Sequence, residues 1–369
     1  MSHRIPVSQP LLNPQSKRYL ADCIDTGWVS SQGPYVAKFE TAFAKLIGTK
    51  YAVSCTSGTA ALHLALAALG IGPGDEVILP AFTMIAPAFA ILYTGATPVL
   101  ADVDPTTFTL NPDLVAQKIT PRTRALIAVH LYGHPAEMSP LQDLARRHHL
   151  SLIEDAAEGL GSTYQGKKVG SLGDLACFSF YANKLITTGE GGMVVTNNAT
   201  IAKKLRSLKD MAHSPKRRFL HLSLGFNYRF TNLQAALGLA QLAFLPRIVR
   251  AKRQLAARYT RELRHHQDLI LPQEQSWAKS SFWMYALRVT RQRQKLMSFL
   301  KNHGIDTRSF FIPLHRQPVF KKLHLFTHER YPVAEIISQE GLYLPSGPHL
   351  SLQDQTTVCR TIAAFYAKV

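Results

Sequence analysis

Phe178-Ser179-Phe180-Tyr181-Ala182-Asn183-Lys184-Leu185-Ile186-Thr187-Thr188-Gly189-Glu190-Gly191-Gly192-Met193-Val194-Val195-Thr196 holds one lysine on a Gly- and Thr-rich loop between two runs of strand-forming residues. Lys184 is the only lysine between Lys168 and Lys203, in a stretch nearly free of charge. Such surroundings suit an amine kept neutral by desolvation and able to form a Schiff base. A loop lysine is more often simply solvated, so the segments around it must decide between the two readings.

Outward from that loop, short β runs alternate with helical runs, the pattern of a mostly parallel α/β sheet covered on both faces. The strands are expected at Tyr51 to Cys55, Glu76 to Leu79, Thr97 to Val103, Arg124 to His130, Ser151 to Asp155, Ala176 to Phe180 and Gly192 to Thr196. Leu62, Leu66 and Leu69 recur at helical spacing after Gly58. Ser139-Pro140-Leu141-Gln142 reads as a capping box, and Asn111-Pro112 opens a further helix. A long helical stretch, Thr231 to His266, is interrupted at Pro246, and a strand follows at Trp283 to Val289. This division predicts a large domain over 1–248 and a smaller α+β domain over 249–369.

The 369 residues can bury sizeable cores, and no secretory signal is visible, so a cytoplasmic protein is expected. Val77 to Ala101 carries no charge and its length would permit a membrane span, but Pro80, Pro87, Gly95 and Pro98 divide it into strand, helix and strand, which reads better as the buried centre of an α/β sheet. Cys23, Cys55, Cys177 and Cys359 are far apart and form no metal or disulfide pattern. The net charge of +18 is concentrated from Ile201 to His265, where fifteen Lys or Arg face only Asp210 and Glu262. A solvated basic face is the plain explanation, and a surface attracting anionic substrates is the functional one. No nucleic-acid-binding motif accompanies it.

Three segments complement Lys184. Ser57-Gly58-Thr59 ends a strand and opens a helix, so its amides and the Thr59 hydroxyl can bind a phosphate, although the same tripeptide is an ordinary cap. Asp155 ends the apolar strand Leu152-Ile153-Glu154-Asp155, where a carboxylate can pair with a protonated ring nitrogen or merely close a turn. Gly189, Gly191 and Gly192 permit close backbone approach near the lysine. A phosphate cradle, a buried aspartate and a Schiff-base lysine together describe pyridoxal 5'-phosphate. An NAD-linked reading would need a Gly-x-Gly-x-x-Gly turn after the first strand, and there is none.

With these segments, Gly72-Pro73-Gly74-Asp75-Glu76-Val77, Gly95-Ala96-Thr97-Pro98, His130-Leu131-Tyr132-Gly133, Glu154-Asp155-Ala156-Ala157-Glu158 and Gly225-Phe226-Asn227-Tyr228-Arg229 make the chain resemble the DegT/DnrJ/EryC1/StrS family of sugar aminotransferases over nearly its whole length. The resemblance implies the type I aspartate aminotransferase fold and a homodimer with active sites at the subunit interface. It also implies amino transfer from L-glutamate to a 4-keto-6-deoxy sugar nucleotide, with a GDP-linked acceptor leading and a dTDP- or UDP-linked one as the alternative. A non-catalytic regulatory protein on the same fold is the reading from another class. By matching motifs, Lys184 would bear the cofactor and Asp155 would meet its ring nitrogen. Glu158 would lie near its hydroxyl, and Gly58, Thr59 and Ser179 would bind its phosphate, joined by Asn227 of the neighbouring subunit. Arg229, Arg308 and His315 are candidates for the donor carboxylate or sugar nucleotide. Met84 stands where the family usually stacks an aromatic ring, with Phe82 close by.

Overall fold

The computed structural model describes residues 4–217 and 219–367. Its centre is a seven-stranded sheet built from β1 (Tyr51–Cys55), β2 (Glu76–Pro80), β3 (Thr97–Ala101), β4 (Thr123–Val129), β5 (Ser151–Asp155), β6 (Leu175–Ser179) and β7 (Gly192–Thr196). The spatial order is β1-β7-β6-β5-β4-β2-β3, and β7 alone runs against the others. Every expected strand is present, three with the expected bounds and the others with ends shifted by one or two residues. The charge-free stretch is β2, a helix (Ala86–Tyr93) and β3, and no helix among the described residues is long and apolar enough to cross a membrane. All four cysteines are buried and free.

The helix Gly58–Leu69 is apolar almost all round because it is enclosed between the sheet and other helices. Gly70, at φ 80°, ends it in the left-handed region. The capping box expected at Ser139 does not form. That helix starts at Met138 with Glu137 at its cap, and the Ser139 N–H donates to the Tyr164 hydroxyl while Gln142 donates to the Leu172 carbonyl. Tertiary partners have outbid the local cap. Pro246 likewise begins a helix rather than breaking one: the chain is helical over Asn232–Leu242 and again over Leu245–Leu263.

A four-stranded antiparallel sheet forms from Leu269–Ile270, Tyr285–Val289, Gly341–Leu344 and Arg308–Ser309. It packs, with Leu255, Tyr259 and Ile362, in a second core that also takes in Ile5 from the beginning of the chain. Trp283 and Met284 belong to the first core and Tyr285 to the second, so one strand entrance spans both.

One buried carboxylate ties the sheet to the loop that follows β5. Glu154 is fully buried, and its two oxygens accept the amides of Leu172 (2.7 Å), Gly173 (2.7 Å) and Gly170 (2.7 Å) and the ring of His130 (3.1 Å). His130 Nδ1 accepts the Ala136 amide, so its proton sits on Nε2, facing Glu154. Glu154→Ala would leave three amides and an imidazole N–H without partners, and stability should fall by about 4 kcal/mol, read as a lower urea midpoint at unchanged slope.

Candidate active site

Six of the seven strands end, and β7 begins, at one edge of the sheet, where a cavity of about 330 Å³ opens. Its wall takes Ser57, Gly58 and Thr59 from beyond β1, Thr83 and Met84 from beyond β2, and Asp155, Ala157 and Glu158 from the end of β5. Ser179 ends β6, Tyr181, Asn183 and Lys184 follow it, and Glu190 precedes β7. Seven expected residues thus meet here, Gly58, Thr59, Met84, Asp155, Glu158, Ser179 and Lys184, together with Arg308.

The anion corner is made by close packing. The Ser57 hydroxyl accepts the Ala60 amide at 3.1 Å, so the side chain caps the helix and the first-turn amides of Gly58 and Thr59 are left for a ligand at the positive end of the helix dipole. A Cβ on Gly58 would lie 2.9 Å from the Cβ of Ser179, and one on Gly192 would lie 2.2 Å from the Ser57 carbonyl oxygen. Only glycine lets these segments meet.

The lysine loop folds on itself. The Phe180 carbonyl accepts the Thr188 amide at 3.0 Å and the Thr187 hydroxyl at 3.0 Å, and the Phe180 amide donates to Gly191 at 2.9 Å. Lys184 Nζ is brought 3.6 Å from Glu158 Oε1 and 4.2 Å from the centroid of the Trp283 ring. The expectation of an uncharged setting is therefore only partly met: a carboxylate and an indole face both attract a cation. The Trp283 indole N–H donates to the Asn183 carbonyl at 2.9 Å, fixing the peptide that precedes the lysine.

Asp155 and Glu158 are both buried. Burial pushes the Asp155 carboxyl above its ordinary value, against the Ala157 amide, which it accepts at 3.1 Å, and the nearby Lys184 charge. Burial also pushes Glu158 up, opposed by Lys184 and by the Tyr132 amide at 2.8 Å. Asn183 Oδ1 is buried beside the cavity with no hydrogen-bond partner among the described residues. A nucleophilic amine, two carboxylates held up by burial, amides at a helix start and an unsatisfied amide oxygen fit a phosphorylated aldehyde with a protonated ring nitrogen.

Three candidates lie elsewhere. Asn227 is exposed and outside this chain's own cavity, bonded by Arg229 at 3.1 Å, and Arg229 also pairs with Asp210 at 3.1 Å. His315 is buried against Tyr331 and bonded to Glu335 at 3.0 Å, so it is not brought to the cavity. Met84 lines the cavity, whereas Phe82 packs against Tyr132, Phe310 and Phe311 in the core. Sequence reasoning missed Trp283, Tyr343 and Phe311 as wall residues, because they enter from distant strands and loops of the C-terminal part of the chain with no motif of their own.

The family model for the DegT/DnrJ/EryC1/StrS aminotransferase family matches residues 10–363. The chain is 45% identical to GDP-perosamine synthase of Caulobacter vibrioides over 98% of this chain and 97% of that protein. It is 41% identical to GDP-perosamine synthase of Escherichia coli O157:H7, over 98% and 99%. The solved PLP-form of the putative sugar aminotransferase Spr1654 from Streptococcus pneumoniae superposes with a TM-score of 0.93 at 27% identity, covering 99% of each chain.

The raised carboxyl of Asp155 sets the sign of a stability change. In the cofactor-free protein, the folded value lies above the unfolded one, so this group's contribution to stability is full below about pH 4 and is lost as pH rises through the folded value. Asp155→Asn should therefore raise the melting temperature at pH 7 and lose that advantage toward pH 4, as a pH series of thermal melts would record.

Proposed function

The chain belongs to the DegT/DnrJ/EryC1/StrS aminotransferase family, and from that premise we propose that it is a pyridoxal-phosphate-dependent transaminase of nucleotide sugars working in the cytoplasm. The donor is L-glutamate, and the acceptor is a 4-keto-6-deoxy sugar nucleotide, GDP-4-keto-6-deoxymannose first among them, giving GDP-perosamine and 2-oxoglutarate. The acceptor follows the names of the two synthases above. The observation that carries the chemistry is the convergence of Lys184, Asp155 and the amides of Gly58 and Thr59 on one cavity.

Pyridoxal phosphate supplies an aldehyde that captures an amine and a protonated ring that draws electrons from the adjoining carbon. Lys184 would be the residue that holds the group, and its Nζ would be the base that moves a proton there. Asp155 keeps the ring nitrogen protonated, and its burial strengthens that pairing. Gly58, Thr59 and Ser179 would bind the phosphate, while Glu158, 3.6 Å from Nζ, orients the amine and would serve the ring hydroxyl. Met84, in the cavity wall, would cover the ring with its thioether, and Arg308, exposed at the cavity rim, would meet the anionic substrate.

Asn227 and Arg229 act from a neighbouring copy in a homodimer with shared active sites. Their place outside the chain's own cavity supports this, as do Leu222 and Leu224 on the same segment and Trp28 elsewhere, all large apolar side chains left exposed on one protomer.

The decisive experiment mixes purified protein with pyridoxal phosphate and then with excess L-glutamate, following absorption. A lysine-bound band converted by glutamate to the amine form is expected; a protein that forms no such band overturns the reading. Lys184→Ala should retain the cofactor non-covalently and lose turnover by about a thousandfold or more. Near-normal transamination in that variant would move the role to another residue.

A further inference from the structure

Lys252 lies in the helix Leu245–Leu263, at the seam between the two cores, and has no part in the chemistry above. It is 2% exposed, and no carboxylate pairs with it among the described residues. Its Nζ donates to the carbonyl oxygen of Trp283 at 2.6 Å and to that of Ser346 at 2.8 Å. Burial pulls its amine down to about 7, and a titratable group acting on the same seam is His349, which burial lowers, Asp354 opposes and Lys252 lowers further. An amine without a counter-charge is costly inside a protein, and an apolar side chain would pack the seam at less cost. Its position must serve something other than packing.

What it holds is the backbone that carries the indole over Lys184. The Trp283 ring stands 4.2 Å from Lys184 Nζ, donates to the Asn183 carbonyl, and lies nearly parallel to Tyr132, at 11° and 6.4 Å. The amide of Tyr132 in turn donates to Glu158. On the other side, the Ser346 hydroxyl accepts the Tyr285 amide and the Ser346 amide donates to the Val7 carbonyl. One amine therefore binds the helix, the entrance of the strand Tyr285–Val289 and the segment after Leu344 into a single support for the ring.

We propose that Lys252 is a positioning residue for the active-site lysine: by holding the Trp283 and Ser346 carbonyls it fixes the indole that lies over the Lys184 amine. The proposal rests on Lys184 bearing the cofactor. Its effect runs through ring placement, so it predicts changes at Trp283 that do not need the cofactor and changes at Lys184 that do.

The first readout uses cofactor-free protein with W28F and W277F, leaving Trp283 as the only tryptophan. There, Lys252→Met should raise acrylamide quenching of the indole by about twofold, and Lys252→Arg, which keeps its donors, should stay near the parent. In the chain with native tryptophans loaded with pyridoxal phosphate, Lys252→Met should move the pH midpoint of the lysine-bound absorption by about one unit. It should also lower kcat by about tenfold while KM for the sugar nucleotide stays within about threefold. Unchanged quenching and midpoint in a folded Lys252→Met protein would overturn the proposal. So would effects that multiply independently with those of Trp283→Phe, because residues acting through one another do not add. If Lys252→Met does not fold, Lys252→Gln takes its place under the same criteria. A parent protein without lysine-bound absorption would instead defeat the functional reading, and the quenching result would then decide this proposal alone.

Discussion

The site depends on a single point of backbone contact, where Gly192 pairs at once with Cys55 of β1 and Ser179 of β6 and sits against the Ser57 carbonyl. Because β7 runs against its neighbours, its first residue lies at the same edge as their last ones. The antiparallel strand thus closes the lysine loop back over the start of the helix Gly58–Leu69. Had it run parallel, the connection from Ser179 would have needed a crossover, and Lys184 would have been carried away from the anion corner. Any side chain at Gly192 would push apart the elements that carry the Gly58 and Thr59 amides and Lys184.

Around that pinch the protein buries charge that it does not fully compensate. Asp155 and Glu158 are both held above their ordinary values by burial, and Lys184 is the basic side chain that opposes the shift in each. Glu154, one residue away on the opposite face of the strand, shows the other solution: every oxygen is engaged by amides and an imidazole. The contrast between adjacent residues separates a carboxylate that serves the fold from one kept available for a ligand. Active sites store such unfavourable burial, and the bound ligand recovers it.

Most of the sheet was legible from sequence because β-branched runs, glycines and prolines mark strands and turns locally. The lysine loop, the Ser57-Gly58-Thr59 turn and Asp155 were legible for the same reason, each being a short segment at a strand end. What escaped were contacts set by tertiary packing. The Ser139 cap gave way to Tyr164 and Leu172, which lie far along the chain. Tyr343 reaches the cavity from the second sheet and Trp283 from the approach to it, and no pattern in their own neighbourhoods announces it. His315 looked available as an isolated histidine, yet Glu335, twenty positions on, holds it in the core.

The strongly basic composition now divides into charges used by the fold and charges left to the solvent. Arg253 grips Glu274 at 2.6 and 3.1 Å and also bonds the Ser280 carbonyl; Arg258 bonds Thr356; Lys209 links Glu40 to the Ser54 carbonyl. These basic side chains of the 201–265 stretch are structural ties, not a free patch. With 42 Lys and Arg against 24 Asp and Glu, however, pairing cannot consume the excess. The remainder creates a positive field that extends about a Debye length, roughly 8 Å at physiological salt, beyond the surface. A field of that sign draws an anionic ligand toward the molecule without specifying its base or sugar, so it contributes encounter rate, and discrimination falls to the groups at the cavity itself.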